Sequence, residues 1–464
     1  MTVERRAERR PGVEHARAVT ERLGHWVSTL DIHTVDDAVL QRLGLVLLDV
    51  VGVTALGAAL DEHRALRAVW DLPSGPAPLI GAGRTTTVDA AAWLNATALV
   101  ALELDEGNKY AKGHPAAHGF PAVLALAAQR DSSGADTAAA LLAAYEVAAR
   151  FGRATRLTTG THPHGNWGVT GAAAGCARLL GLGPRECAAA IDTAAGMPIA
   201  GHFDSALDGN VVRDAWIGAS NTSGLAAARM AAAGIARNTG TAALSLGTLL
   251  GRFDADELTT DLGSTWQITR GYLKRHASCS FTHPAADAML HLREHGEPTD
   301  IRVEIHALGA ALAGTDWDNR LSAMFSIPFV VAVAALTGEV GPSAYTPKRL
   351  ADERVRSLAR RVRVVSSDEL TARLPDERAV RVTARYPDGA VRTVELPNPV
   401  GDADHHPLTE SDVVTLLAAW LPKRSTVLGH AVRLSHDLPA LSHTGEALRA
   451  LAGDEEVPEC VPSR

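Results

Sequence analysis

Runs of alanine and glycine at helical spacing constrain the fold of this chain more than any other feature of its sequence. The clearest run is VTGAAAGCARLLGL, residues 169–182, whose small side chains leave little bulk between packed helices. Of the 464 residues, 46% are hydrophobic but only 4% are aromatic, which favours packed helices over a sandwich of strands. The sequence therefore predicts a mainly α fold, with two or three domains for a chain of this length.

Apolar residues that recur at intervals of three and four indicate where the helices lie. Residues 15–60 carry such a pattern, and Asp49 within it is predicted to face solvent or to cap a helix. Glu146 and Arg150 are predicted to form an ion pair across one helical turn, of mainly structural value. The other helices are predicted over residues 64–70, 88–102, 121–129, 135–150 and 322–338.

Beyond residue 299 the hydrophobic period changes from helical to alternating. Strands are predicted over 301–307, 360–367, 380–386 and 390–396, the last two as a hairpin around Pro387, Asp388 and Gly389. A helix restarts near residue 407, with Thr409 as its cap and Asp412 as the partner of that cap. We predict a large helical domain, residues 1–270, a smaller inserted α+β lid domain, residues 271–399, and a return to the helical domain, residues 400–464. Residues 453–464 are predicted to fray.

Charge and composition exclude several classes of protein. A net charge of −8 and a pI near 6.2 predict no nucleic-acid partner. The apolar run at 327–336 is shorter than the roughly 20 residues of a membrane-spanning helix, and the first fifteen residues do not resemble a signal peptide. The four cysteines lack CxxC spacing, which argues against disulfides or structural zinc. These features predict a cytoplasmic enzyme.

The segment 101–129 concentrates titratable side chains between two apolar helical runs. Carboxylate, ammonium and imidazole groups this close can shift one another's pKa values towards neutrality. A solvated loop is the simpler alternative, but Pro115 suits the first turn of a helix and so places His114 at a helix N-terminus, where anions bind. The titratable side chains are Glu103, Asp105, Glu106, Lys109, Lys112, His114 and His118.

Three later segments carry further candidates. His162 and His164 lie in a loop before the small-residue helix, and Arg213 lies ahead of an Ala-rich helix. Because arginine stays protonated, Arg213 is predicted to bind an anion and not to move protons. The segment 272–292 contributes Lys274, which is predicted to anchor a carboxylate, together with His276, Cys279 and His283.

These motifs resemble the MmgE/PrpD family, which contains 2-methylcitrate dehydratases, cis-aconitate decarboxylases and iminodisuccinate epimerases. The resemblance rests on the acidic pair before His114-Pro115, AYEVAAR at 144–150, the basic residue five positions before Gly218, KRHASCSFTH at 274–283 and FS at 325–326. The chain departs from the family pattern at three places. Glu106 and Gly107 stand where Asp-Thr is common, Arg213 replaces Lys, and Cys279 replaces the His of some members.

The resemblance implies metal-independent acid-base chemistry on a small polycarboxylate, an active-site histidine at His162, and a homodimer. No cofactor is expected, since the chain has neither HExxH nor a dinucleotide fingerprint. The catalytic residues are predicted to be His114, His162, Asp105 and Lys274. The substrate-binding residues are predicted to be Arg213, Lys109, Lys112, Glu106, His164, Cys279 and His283.

The reaction is left open among three classes. Dehydration of a 2-methylcitrate-like hydroxy polycarboxylic acid, a hydro-lyase reaction, is favoured. Decarboxylation of a cis-aconitate-like acid, or epimerisation or isomerisation of a related polycarboxylate, can use the same groups. A non-catalytic descendant that only binds small acids is the third class.

Overall fold

The computed structural model describes residues 10–454, so residues 1–9 and most of the tail predicted to fray, 455–464, lie outside it. Helices hold 58% of the residues and strands 9%, which confirms a mainly α fold with a smaller α+β part. The first group of helices is α1 Arg10–Thr29, α2 Asp37–Ala58, α3 Asp61–Val69, α4 Val88–Val100, α5 Pro115–Arg130, α6 Gly134–Ala154, α7 Val169–Leu179, α8 Pro184–Ala195, α9 Asp204–Leu207, α10 Val212–Ala232 and α11 Thr241–Leu244. The second group is α12 His283–Leu292, α13 Ala307–Ala310, α14 Arg320–Met324, α15 Ile327–Thr337, α16 Pro347–Leu350, α17 Glu353–Ala359 and α18 Asp368–Thr371, and the third is α19 Glu410–Trp420, α20 Ser425–Asp437 and α21 Gly445–Ala450.

The strands form one four-stranded sheet and two small ribbons. The ribbons pair β1 Ala77–Leu79 with β2 Arg84–Thr86, and β3 Thr155–Leu157 with β4 Gly251–Phe253. The sheet has the order β6-β5-β7-β8, formed by β5 Asp300–Ile305, β6 Val362–Ser366, β7 Val380–Arg385 and β8 Val391–Leu396. Strands β5 and β6 run parallel and the other pairs run antiparallel, so the predicted hairpin of β7 and β8 is confirmed.

The small-residue helix α7 packs closely against α6, as its sequence predicts. A side chain at Gly171 would place its Cβ 2.5 Å from the carbonyl oxygen of Ala144, which is backbone and cannot move aside cheaply. The predicted Glu146–Arg150 pair is present, at 3.5 Å and fully buried. The predicted capping box is also present: Thr409 accepts the Asp412 amide, and Asp412 accepts the Thr409 amide.

Two of the local predictions are wrong. Asp49 does not face solvent but lies buried within α2, where burial raises the pKa of its carboxyl well above the ordinary value. The predicted helix over 322–338 is two helices: α14 ends at Met324, and Ser326 caps α15 by accepting the Phe329 amide at 3.0 Å. Helix α2 is long and apolar enough to cross a membrane, but 78% of its apolar window is buried inside the protein.

Backbone pairing brings three distant parts of the chain together beside the predicted site. Gly107, in the loop after α4, exchanges two backbone hydrogen bonds with Tyr272, ahead of α12. Leu273 in turn donates to the carbonyl of Gly401, in the connection back to the C-terminal helices. These bonds fix the acidic loop against the Lys274 segment. The exact domain boundaries at residues 270 and 399 stay predictions.

Candidate active site

Three segments of the chain converge on a buried cluster of four charged side chains. Glu103 lies in the loop after α4, and its carboxylate is 2.5 Å from Nη2 of Arg213, in the first turn of α10. Nζ of Lys274 is 3.4 Å from Glu103 and 3.4 Å from Asp105. All four side chains are at most 3% exposed. Two of the predicted cations and two acids of the acidic loop therefore share one buried position.

The backbone of Glu103 has an unfavourable conformation. Its φ angle is +51°, in the left-handed region that residues with a side chain rarely adopt. Backbone strain of this kind persists only where surrounding contacts enforce it, and it concentrates at functional sites. Here the enforcing contacts are the ion pairs of its carboxylate with Arg213 and Lys274.

His114 is the N-cap residue of α5 and is held in one orientation and one charge state. Its Nδ1 lies 2.7 Å from the carbonyl oxygen of Glu106 and 2.9 Å from Asp105. Because a carbonyl oxygen only accepts, Nδ1 carries a hydrogen. Burial disfavours the imidazolium, but the Asp105 carboxylate outweighs this effect and raises the pKa of His114 to about 9. His114 is therefore protonated at neutral pH.

His164 packs edge-on against His114, and His162 packs against His164, but both of these rings are neutral. The His164 amide donates to Nδ1 of His162 at 3.1 Å, so the hydrogen of His162 sits on Nε2. Nδ1 of His164 donates to the carbonyl of Arg213 at 3.2 Å. Burial and the charge of Arg213 lower the pKa of both rings well below the ordinary value. Only His114 among these three histidines carries a charge.

Lys274 and Asp105 are also fixed in their charged forms. Burial opposes both charges, but the two groups stabilise each other. Asp105 and Glu103 raise the pKa of Lys274 above its ordinary value. The charges of His114 and Lys274 hold the pKa of Asp105 well below its usual range. Lys274 therefore serves as an anion anchor and cannot accept a proton near neutral pH.

Two family models match consecutive parts of this chain. The MmgE/PrpD N-terminal domain matches residues 21–273, and the MmgE/PrpD C-terminal domain matches residues 276–415. The chain belongs to the MmgE/PrpD family. A cis-aconitate decarboxylase of Aspergillus terreus is 26% identical over 420 residues, covering 82% of this chain and 85% of the relative. A cis-aconitate decarboxylase-like protein, oryM, of Aspergillus oryzae is 29% identical over 300 residues, covering 60% of this chain and 62% of the relative.

Family and relatives together support a lyase that acts on a small carboxylic acid. They do not support the predicted hydro-lyase chemistry in particular, because the similar proteins carry the name of a decarboxylase. The fold expected from the MmgE/PrpD resemblance is thus confirmed. Which reaction the protein catalyses must be argued from the geometry of the site.

Glu106 does not contact the cluster as a substrate-binding residue would. One of its carboxylate oxygens accepts the Tyr145 hydroxyl at 2.7 Å and the other accepts the Ala116 amide at 3.1 Å, in the first turn of α5. Burial raises the pKa of Glu106 to about 7 despite these bonds. Its side chain stabilises the start of α5, and its carbonyl orients His114.

The two lysines of the acidic loop bind other partners. Nζ of Lys109 lies 3.1 Å from Asp402 and 2.9 Å from Asp404, so this lysine ties the loop to the C-terminal connection. Nζ of Lys112 donates to the carbonyl of Thr155 at 2.8 Å. The prediction that these lysines bind substrate is not supported, because the hydrogen bonds and ion pairs of both ammonium groups are made with these other partners.

His283 also differs from its predicted role. His283 begins α12 ahead of a proline, as predicted, but its Nε2 bonds to the carbonyl of Ser278 at 3.0 Å and its ring packs against His276. Burial raises the pKa of the Cys279 thiol to about 12, so it is not a thiolate, and its contact with substrate stays a prediction. Both residues support the Lys274 segment.

Two residues of the site were missed in the sequence. Asp214 follows Arg213, and its carboxylate is 2.9 Å from Nη1 of that arginine. Burial raises the pKa of Asp214 to about 7, although the arginine limits this shift. A carboxylate next to a predicted anion-binding arginine was a signal that could have been noticed. Tyr345, from the lid, is buried near the cluster, and no local pattern marks it.

Three groups could hold a metal ion by distance alone. Ligand atoms of Asp105, His114 and His164 lie within 4.8 Å of one another. Two cations border this position, since Lys274 is 3.4 Å from Asp105 and Arg213 is 3.3 Å from His164. The imidazolium of His114 adds a third positive charge. The donor set therefore suits an anion better than a metal ion.

Proposed function

We propose that this protein is a metal-independent decarboxylase of a small unsaturated polycarboxylic acid of the cis-aconitate type. One observation carries the proposal: Asp105 keeps His114 protonated beside two buried cations. Three cations, Arg213, Lys274 and His114, face the carboxylates of Glu103 and Asp105. Asp214 also contacts Arg213, but burial raises its pKa to about 7, so it is only partly ionised near neutral pH and the site keeps a net positive charge. A substrate carboxylate would compete with Glu103 for Arg213 and Lys274.

The charge states favour decarboxylation over dehydration. Loss of carbon dioxide needs a cationic site for the carboxylates and an acid that protonates the carbon left behind, but it needs no base. Dehydration needs a base that removes a hydrogen alpha to a carboxylate. His162 carries its hydrogen on Nε2, and Asp105 has a depressed pKa, so both are poor bases. This site is rich in proton donors.

In the proposed step, the bond between a substrate carbon and one carboxylate breaks, and carbon dioxide leaves. The electron pair moves through the neighbouring alkene to the carbon alpha to a second carboxylate. Arg213 and Lys274 stabilise the negative charge that develops there. That carbon takes the proton from Nε2 of His114, and solvent returns a proton to the ring. Nε2–H of His162 donates a hydrogen bond to a substrate oxygen.

Dehydration remains the second candidate, and Asp214 is the observation that favours it. The pKa of this carboxyl is about 7, so part of the protein carries it as a base at neutral pH. It lies beside Arg213, within reach of an acid bound to that cation. In this alternative Asp214 would remove the hydrogen and His114 would protonate the leaving hydroxyl.

A product assay separates the two candidates. Purified protein is incubated with cis-aconitate, with 2-methylcitrate and citrate, and with an amino-substituted diacid, and both carbon dioxide and organic products are measured. We expect stoichiometric carbon dioxide from the unsaturated acid and no loss of water from the hydroxy acids. If a hydroxy acid forms an alkene and no carbon dioxide is released, the protein is a dehydratase and the proposed decarboxylase function is wrong. Exchange of a C–H hydrogen without net change would indicate an epimerase.

The pH profile of the reaction should report the protonated state of His114. Because turnover needs the imidazolium and its pKa is raised to about 9, kcat/KM should hold through neutral pH and fall above about pH 9. Asp105→Asn removes the charge that raises this pKa, so the falling limb should move to lower pH. The measurement is kcat/KM from pH 6 to pH 10 for both proteins. An unchanged limb in the variant would assign it to another group.

A further inference from the structure

A large cavity lies between the helical domain and the lid, next to the charge cluster. Its volume is about 1140 Å³. The helical wall comes from α3, α4 and the start of α10, and the lid wall comes from residues 317–321 and 342–356. Pockets of roughly 300–1,000 Å³ hold drug-sized ligands, so this space is much larger than a small polycarboxylate needs.

Three of the residues that line the cavity adjoin the cluster, whereas Arg213, Lys274 and Glu103 themselves do not line it. Asp214 lines the cavity, and its carboxylate is 2.9 Å from Nη1 of Arg213. Leu102 also lines the cavity, and it directly precedes Glu103 in the sequence. Tyr345 lines it from the lid. This tyrosine is 4% exposed, and its hydroxyl lies near the Ser278 side chain and the Glu103 carboxylate.

Away from the cluster the lining is mainly aromatic and aliphatic. Trp93, Leu66 and Leu60 face it from the helical domain, and Trp317, Leu321 and Leu350 face it from the lid.

Three of the charged residues that line this part of the cavity already have partners. Glu62 of α3 forms an ion pair with Arg320 of α14 across the cleft, and Arg356 stacks on the ring of Trp317 at 4.7 Å. Concave apolar surface beside a few placed polar groups is the usual character of a small-molecule site. The lining therefore suits an uncharged hydrocarbon group and not a further acid group.

We infer that the substrate carries an apolar substituent, an alkyl or aryl chain, which occupies this cavity while its carboxylates bind Arg213 and Lys274. This inference rests on the proposed function for the reaction but concerns the substrate class. The chain extends from the carbon remote from the leaving carboxylate, past Asp214 and Tyr345. The Tyr345 hydroxyl donates to the substrate where the acid group meets the chain. Unsubstituted acids are then poorer substrates than alkylated ones.

The first test compares kcat/KM for an unsaturated tricarboxylic acid with and without a butyl chain. Each buried methylene is worth about fourfold, so the four carbons of the butyl chain should raise kcat/KM by about 250-fold. Ala215→Phe fills part of the cavity wall and should lower this preference at least tenfold. Ala232→Phe, an exposed position on the same helix, should leave the preference unchanged.

The second test measures binding without chemistry. Succinate and butylsuccinate are titrated calorimetrically, and the alkyl acid should bind more tightly with a more negative heat-capacity change. If carbon dioxide is released but the alkyl chain improves neither kcat/KM nor binding, the inference is overturned and the proposed function stands. Tighter binding of butylsuccinate without any decarboxylation overturns the proposed function and supports the inference. If Ala215→Phe changes the oligomeric state but leaves the preference for the butyl acid unchanged, the cavity is a contact between copies of the chain. That result also overturns the inference.

Discussion

Replacing His114 by asparagine should lower kcat for decarboxylation by about 10²–10⁴-fold. Asparagine keeps a donor near the Glu106 carbonyl, but it cannot give up a proton to carbon. In the wild-type protein Nδ1 is engaged by Glu106 and Asp105, which leaves Nε2 as the donor. Steady-state rates of carbon dioxide release for the two proteins measure the effect, and the thermal midpoint shows that both are folded.

His283→Asn is the matched control for this experiment. Like His114, His283 lies at the start of a helix directly ahead of a proline, and their side chains are little exposed. Its ring bonds to the Ser278 carbonyl and not to an acid of the cluster, so its replacement should cost less than tenfold in kcat. Equal losses in the two variants would show that neither histidine is the proton donor.

Replacing Arg213 by methionine should destabilise the protein by about 3–5 kcal/mol and abolish detectable saturation by substrate. Arg213 is fully buried between Glu103 and Asp214, and its removal leaves buried carboxylates without their counter-charge. Burial has already raised the pKa of Asp214 to about 7, so that residue can take up a proton more readily. Denaturant unfolding and the dependence of rate on substrate concentration measure both effects.

Arg229→Met, on the same helix, is the control for the loss of an ion pair as such. Arg229 pairs with Asp89 at 2.7 Å, but both side chains are about half exposed, and an exposed pair contributes roughly 0–1 kcal/mol. Adding Glu103→Gln to the Arg213 variant should restore part of the lost stability, because the unpaired charge is removed. Equal stability of the two arginine variants would refute the buried-cluster account.

Local patterns predicted the parts of this protein that depend on neighbouring residues in the chain. The capping box of Thr409 and Asp412, the β7–β8 hairpin and the place of His114 before Pro115 are such features. Each of these features depends on hydrogen bonds between residues close in the sequence or on the fixed φ of a proline. Each can therefore be predicted without knowledge of the fold.

Long-range pairing explains what could not be predicted. Lys109 and Lys274 are equal candidates for anion binding in the sequence, yet the first is neutralised by Asp402, 293 residues away, while the second reaches Glu103 and Asp105. Asp49 sits in a helical pattern that fits an exposed position, but the folded protein leaves only 4% of it exposed. The sequence shows which side chains are charged, but the fold determines which groups they contact.

Binding of an unreactive polycarboxylate tests the central claim most directly, namely that Arg213, Lys274 and His114 jointly hold the substrate. Propane-1,2,3-tricarboxylate is titrated calorimetrically into the wild-type protein, Lys274→Met and Lys112→Met. A charge-assisted hydrogen bond contributes about 1.5–3 kcal/mol, so Lys274→Met should weaken binding by about 10–100-fold. Lys112, which bonds to the Thr155 carbonyl, should matter less than twofold. Weakening by Lys112→Met equal to that by Lys274→Met, or no weakening by Lys274→Met, would contradict the account.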